Sequence, residues 1–70
     1  MKPTIYELRA KLGETYCAMQ FTTSEAALTE AYTLRSGCTR NGLNFAAHIA
    51  PMKANKSGKF EDTNKGVIYL

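Results

Sequence analysis

Hydrophobic residues along the chain follow two periodicities, one typical of helices and one typical of strands. Near the start, Thr4 and Glu7 have the spacing of a capping box, and Gly13 can end a helix in a left-handed conformation. Between them, apolar residues recur at helical spacing: Ile5, Leu8 and Leu12. The pattern therefore predicts a short N-terminal helix that ends at Gly13.

The next segment, residues 15–22, alternates between two sets of side chains. Cys17, Met19 and Phe21 lie on one side of an extended chain, and Tyr16, Ala18 and Gln20 lie on the other. Alternation with period two, together with aromatic and threonine content, predicts a strand with one buried face.

The main helix is expected from Thr23 to Arg35, a run without Gly or Pro. A capping box over residues 22–25 favours its start, and Gly37 is suited to the position just after its end. Its apolar residues share one helical face: Ala27, Leu28, Ala31 and Leu34. We expect this face to pack against the strand over residues 15–22, because consecutive elements usually pack together.

Residues 43–50 fit two periods. Leu43, Phe45, Ala47 and Ile49 alternate as in a strand, whereas Phe45, Ile49 and Met52 also have helical spacing. We favour the strand, because turn formers at residues 41–42 and at 51 bracket it at strand length.

The rest of the chain predicts a loop and a final strand. Turn formers and charges dominate residues 51–65, which predicts a mobile basic loop, and residues 66–70 are rich in β-forming side chains. The whole chain, 1–70, is expected to form one small α+β domain. Its predicted architecture is a two-layer sandwich: a short N-terminal helix, then strand-helix-strand-strand, with one main helix on a small, mostly antiparallel sheet.

Composition limits the function classes. The chain has nine Lys and Arg against six Asp and Glu, a net charge of +3, which excludes an acidic mimic of nucleic acid. The cations concentrate between residues 35 and 59, where no acid occurs. We therefore predict a partner-binding face built from these cations and the neighbouring aromatic residue: Arg35, Arg40, Lys53, Lys56, Lys59 and Phe60.

No pattern typical of catalysis is present. His48 is the only histidine, and no serine or cysteine lies in a nucleophile motif. The spacing of Cys17, Cys38 and His48 does not suit a zinc site, which needs four ligands with short spacings. We expect no catalytic residues, no metal and no cofactor, and hence no enzyme.

The start of the chain lacks the apolar region of a secretory signal, and no window approaches the length of a membrane span. We therefore expect a cytoplasmic protein with no membrane partner, its two cysteines held as thiols. If a phage encodes it, the compartment is the host cytoplasm.

A lone, compact chain without catalytic motifs resembles in type the small inhibitors that phages encode, including anti-CRISPR proteins. This resemblance implies a basic face that docks on a larger protein or a ribonucleoprotein complex. The alternative is a nucleic-acid-binding regulator, either a single-strand binder or a helix-turn-helix protein similar to excisionases, with residues 34–49 as its two helices. A small structural subunit of an assembly is a third class.

Overall fold

The computed structural model describes residues 4–70 and contains one helix packed on a five-stranded sheet. In chain order the elements are β1 (Thr4–Leu12), β2 (Thr15–Phe21), α1 (Ser24–Arg40), β3 (Phe45–Ala54), β4 (Phe60–Asp62) and β5 (Ile68–Tyr69). The sheet order is β2-β1-β3-β4, and β5 also pairs with β3. All these pairs are antiparallel, in agreement with the predicted α+β class.

The predicted N-terminal helix is wrong, because residues 4–12 form the central strand β1. The period of two extends over the whole segment: Tyr6, Leu8, Ala10 and Leu12 all belong to the core or pack against it. Gly13 has a φ of 63° and closes a tight hairpin into β2, so its left-handed conformation serves a turn and not a helix end.

The predicted helix is confirmed, but it is longer than expected. Its N-cap is Thr23, whose hydroxyl accepts a hydrogen bond from the backbone amide of Ala26 at 3.1 Å. Gly37 lies inside the helix, which ends at Arg40, so the predicted end at Gly37 is wrong. The extra turn has a reason in packing, since Cys38 continues the helical stripe and is buried.

The strand favoured for residues 43–50 is confirmed as β3, which continues through Pro51. The carbonyl of Pro51 accepts a hydrogen bond from the amide of Thr63, so this residue directs its backbone toward β4 and β5. Its missing N–H therefore lies in the gap between those two short strands, and a central strand tolerates the proline there. A strand at this position contradicts the helix-turn-helix alternative, whose second helix needs the same residues.

The segment over residues 51–65 is more regular than the predicted loop. It contains the end of β3, a turn around Asn55 and the strand β4. The side chain of Asn55 accepts hydrogen bonds from the amides of Ser57 and Lys59, which fixes the turn. The mobility of this basic segment stays a prediction. The final strand is confirmed, because β5 pairs with β3.

The core lies between α1 and one face of the sheet. Leu8 of β1 and Ile49 of β3 are fully buried side by side, and Ala27 and Ala31 of α1 pack on them. The predicted contact between the two apolar stripes is confirmed in part: Leu28, Leu34, Cys17, Met19 and Phe21 are partly buried around the same cluster, but α1 packs mainly on β1 and β3 and less on β2. Alanine at the centre of α1 lets the helix lie close to the sheet.

Among residues 4–70, no helix has both the length and the apolar character that a bilayer crossing would require.

We expect Leu8→Ala to lower the free energy of unfolding by about 2–5 kcal/mol, because it leaves a cavity at the centre of the core. Leu43→Ala is the matched control, since Leu43 is half exposed and outside the core cluster. Urea unfolding followed by circular dichroism measures both. Equal midpoints for the two variants would contradict the placement of the core.

Candidate functional site

The face of the sheet opposite α1, which we call the open face, carries the candidate site. Side chains alternate along each strand, so the residues between the core positions project onto this face. They are Ile5, Glu7, Arg9 and Lys11 of β1, Tyr16, Ala18 and Gln20 of β2, Ala46, His48, Ala50, Met52 and Ala54 of β3, Phe60 and Asp62 of β4 and Tyr69 of β5.

Two tyrosines border a shallow depression of about 760 Å³ on the open face. Tyr16 on β2 is 75% exposed and Tyr69 on β5 is 78% exposed, more than other large hydrophobic residues of the described chain. Strands β1 and β3 lie between them, so the strands β2 and β5 that carry the two tyrosines are about 14 Å apart. Ala18 and Ala46 keep the floor between them low.

Each tyrosine has a polar neighbour. The Nζ atom of Lys11 lies 5.4 Å from the centroid of the Tyr16 ring, a distance suited to a cation–π contact. The rings of His48 and Tyr69 are 6.1 Å apart between centroids and tilted by 35°. These contacts hold the rings at the sides of the depression rather than across it.

Arg9 forms ion pairs with two carboxylates of the open face, those of Glu7 and Asp62. Its Nη2 and Nη1 atoms donate to the Asp62 carboxylate at 2.7 and 3.1 Å, and its Nε donates to Glu7 at 2.6 Å. Gln20 donates to the second oxygen of Glu7 at 3.2 Å. Arg9 is on β1 and Asp62 is on β4, so their bidentate pair spans β3. It links the β3–β4 hairpin to the central strand β1.

The same hydrogen bonds shift the titration of the carboxylates. Donation from Arg9, and then from Gln20, holds the pKa of Glu7 below its ordinary value. Donation from Arg9 likewise lowers the pKa of Asp62. Both carboxylates are therefore charged at neutral pH, and a proton is harder to place on them than on a free carboxylate.

The open face is close to neutral. Glu7 and Asp62 balance Arg9 and Lys11 when His48 is neutral. Within residues 4–70, the ion pairs on this face involve Arg9, while Lys11 pairs with no carboxylate. The depression is thus apolar in its floor, aromatic at two sides and cationic beside Tyr16.

Of the residues predicted from sequence as the partner-binding face, Phe60 is on the open face, two residues before Asp62 on β4, whereas the five cations lie elsewhere. Arg35 and Arg40 are exposed near the C-terminal end of α1, where they border a groove with Tyr32, Ser36 and Thr39. Lys53 lies opposite Glu61 in the register of β3 with β4. Lys56 and Lys59 lie in the loop between these two strands, and Phe60 is the first residue of β4.

The structure does not bring these two groups of cations together. After α1, the amide of Leu43 bonds back to the helix and Phe45 pairs with Leu12 at one end of β1. Lys53 pairs with Thr4 at the other end, eight residues away along β1, which corresponds to about 27 Å. A single surface with all five cations is therefore not formed. Their role in partner binding stays a prediction for each group separately.

Sequence reasoning missed Arg9 and Lys11 as site residues because it placed residues 4–12 in a helix, and it missed Tyr16 because the neighbour of Tyr16 on the sheet is Lys11 of that segment. On a helix these cations do not share a surface with the strand that follows. The alternation of Glu7, Arg9 and Lys11 with the apolar residues of β1 is the signal that indicates one polar strand face.

Among residues 4–70, Cys17 and Cys38 are free thiols, and no three His, Cys, Asp or Glu side chains gather as metal ligands. Cys38 is buried and Cys17 is half buried against the core.

Comparisons of the chain with protein-family models, with curated proteins and with solved structures found no match.

We expect the unfolding temperature to fall as the pH drops below about 4, the range of an ordinary carboxyl group. Folding lowers the pKa of Glu7 and Asp62, so their stabilisation is complete above the unfolded-state pKa. It is lost as the pH falls through the lower folded-state pKa. Arg9→Gln removes the largest cause of both shifts and should weaken this acid dependence.

Thermal unfolding followed by circular dichroism from neutral to acidic pH measures the effect. Arg35→Gln is the matched control, because Arg35 forms no ion pair within the described residues and should keep the wild-type profile. Identical acid profiles for Arg9→Gln and the wild type would show that the Arg9 pairs do not stabilise the sheet.

Proposed function

We propose that this chain is a non-catalytic binding protein that docks on a larger protein or ribonucleoprotein complex and inhibits it, in the manner of small phage-encoded inhibitors such as anti-CRISPR proteins. The observation that carries this proposal is the open face, where Tyr16 and Tyr69 stand exposed on either side of an alanine floor.

The side chains of the open face favour a protein partner. Tyrosine and arginine are enriched in protein interfaces, where a large ring buries much area and loses little conformational entropy. Tyr16 and Tyr69 are attached to paired strands, so the backbone that presents them is already ordered before binding. A rigid surface loses less entropy on association than a flexible one.

The charges of the same face disfavour a phosphate backbone there. Binding of nucleic acid depends mainly on cations that neutralise phosphates. On the open face, Arg9 is already engaged by two carboxylates, and Glu7 and Asp62 would repel phosphates. Among the described residues, Lys11 is then the one cation of this face that could bind a phosphate. A protein partner with a single carboxylate near Tyr16 would match this charge distribution better than a phosphate backbone.

The titration of the carboxylates supports binding rather than catalysis. A general acid or base works best when its pKa lies near the pH at which it acts. Hydrogen bonds from Arg9 lower the pKa of both Glu7 and Asp62, away from neutral pH. These groups stay charged at neutral pH and stabilise the surface through their bonds to Arg9.

The predicted cations take a secondary part in this proposal. Arg35 and Arg40 at one end of the molecule, and Lys56 and Lys59 at the other, would attract an acidic partner from a distance. Exposed charges at the margin of an interface act more on the association rate than on the final affinity.

Binding of single-stranded nucleic acid by the hairpin end is the second candidate. Lys53 and Lys65 line one groove there, and Lys56 and Lys59 lie in the adjoining loop. Phe60 at the start of β4 is 37% exposed and follows Lys59 directly. Cations interleaved with an aromatic ring are typical of single-strand binders.

The test begins with capture of partners on the tagged protein from a prokaryotic lysate, with and without nuclease. The captured protein is then purified and titrated against the wild type and against variants. We expect Tyr16→Ala and Tyr69→Ala each to raise the Kd about tenfold or more, as truncation of a buried aromatic anchor does.

Tyr32→Ala is the matched control, because Tyr32 is an exposed tyrosine on α1, away from the open face. It should bind like the wild type. A charge reversal at Lys56 and Lys59 should slow association and leave the dissociation rate nearly unchanged.

Loss of all captured material after nuclease, together with tight binding of a labelled single-stranded oligonucleotide that Lys56→Glu abolishes, would favour the second candidate. A partner that binds Tyr16→Ala and Tyr69→Ala as tightly as the wild type would exclude the open face as the binding surface.

A further inference from the structure

Strand β2 forms one edge of the sheet and leaves half of its backbone groups without a strand partner. A two-residue turn joins β1 to β2, so Leu12 and Thr15 form a hydrogen-bonded pair and the pairs then alternate along the hairpin. It follows that Tyr16, Ala18 and Gln20 direct both their N–H and C=O groups away from β1. Within residues 4–70, β1 is the one strand that pairs with β2.

This edge lacks the features that usually prevent strands from associating. Natural proteins protect an edge with charged residues, proline, bulges or very short strands. The seven residues of β2 include no charged residue, no proline and no glycine. The opposite edge differs: β4 and β5 have three and two residues, and β4 carries Glu61 and Asp62.

The side chains of β2 on the helix side are also incompletely covered. Helix α1 packs mainly on β1 and β3 and reaches β2 less. Cys17, Met19 and Phe21 pack against the core but remain partly exposed along the edge. The hydrophobic core therefore extends to the edge strand β2, where a further strand would cover the exposed parts of these side chains.

We propose that two copies of this chain associate through antiparallel pairing of β2 with β2, around a two-fold axis at Ala18. The two sheets then form one continuous sheet, with both helices on the same side. This inference goes beyond the proposed function, which concerns the open face and a different partner.

The sequence of β2 fits this self-pairing. With Ala18 opposite Ala18 of the second copy, Tyr16 lies opposite Gln20 of that copy, and Cys17 lies opposite its Met19. The outward backbone groups of Tyr16, Ala18 and Gln20 then form about six hydrogen bonds between the copies. No charged residue of β2 opposes another, so self-pairing has no like-charge repulsion to overcome.

The difference between the two edges favours a closed dimer. A strand that pairs with its own copy around a two-fold axis uses one edge from each molecule and leaves no free β2. Growth into a longer sheet needs the opposite edge, where short strands and acidic residues disfavour pairing.

Sedimentation velocity across a range of protein concentrations tests the proposal. We expect the wild type to sediment as a dimer at micromolar concentration. Ala18→Pro removes an outward N–H at an edge position that tolerates proline, and it should raise the dimer dissociation constant at least tenfold. Ala18→Val keeps the N–H and should stay dimeric. Circular dichroism checks that both variants are folded.

The register is tested by a disulfide. In the proposed pairing, residues 17 and 19 of the two copies form a non-hydrogen-bonded pair with Cα atoms about 4.5 Å apart, within disulfide range. Met19→Cys should therefore form a covalent dimer with Cys17 of the second copy under mild oxidation by copper phenanthroline. The double variant Met19→Cys, Cys17→Ser lacks the opposing thiol and should give little covalent dimer.

A wild type that sediments as a monomer throughout the concentration range would overturn the proposal. So would a dimer that persists in folded Ala18→Pro and yields no specific cross-link, since its contact would lie elsewhere. The outcome is independent of the open face: Tyr69→Ala should lose the partner of the proposed function and remain a dimer.

Discussion

One helix can cover one face of a sheet, and this constraint determines the character of the whole molecule. The buried residues of helix α1, which include Ala27 and Ala31, pack on the face formed by β1 and β3. Among residues 4–70, no second helix covers the other face. That face is therefore stabilised by polar contacts between strands, above all those of Arg9, and it leaves two tyrosines exposed.

The sequence predicts most elements correctly, but it predicts a helix where the central strand β1 lies. Helix α1 and strands β2 and β3 have clear periods, and each is present. In β1, Leu8 and Leu12 satisfy both a period of two and helical spacing, so the apparent capping box at Thr4 favoured a helix. The strand forms because β1 pairs with β2 on one side and β3 on the other. This pairing is a tertiary effect that the sequence of residues 4–12 alone does not show.

The candidate site was harder to predict because it depends on that central strand. Counting charges along the chain led to Arg35, Arg40 and the lysines between residues 53 and 59, which the fold places at opposite ends. The strand β3 separates the two groups, because it runs the length of the sheet between Arg40 and Lys53. The open face instead contains residues from all five strands, and only the register of β1 with β2 shows that Lys11 and Tyr16 are neighbours.

The central claim is that the open face, and not the cationic ends, meets the protein partner. Nuclear magnetic resonance of the aromatic side chains, recorded as the purified partner is added, tests it most directly. The account predicts large shifts or broadening for the ring signals of Tyr16 and Tyr69, while those of Tyr32 on α1 stay in place. Unchanged signals from Tyr16 and Tyr69, with changes confined to Tyr32 and the amides of Arg35 and Arg40, would contradict it.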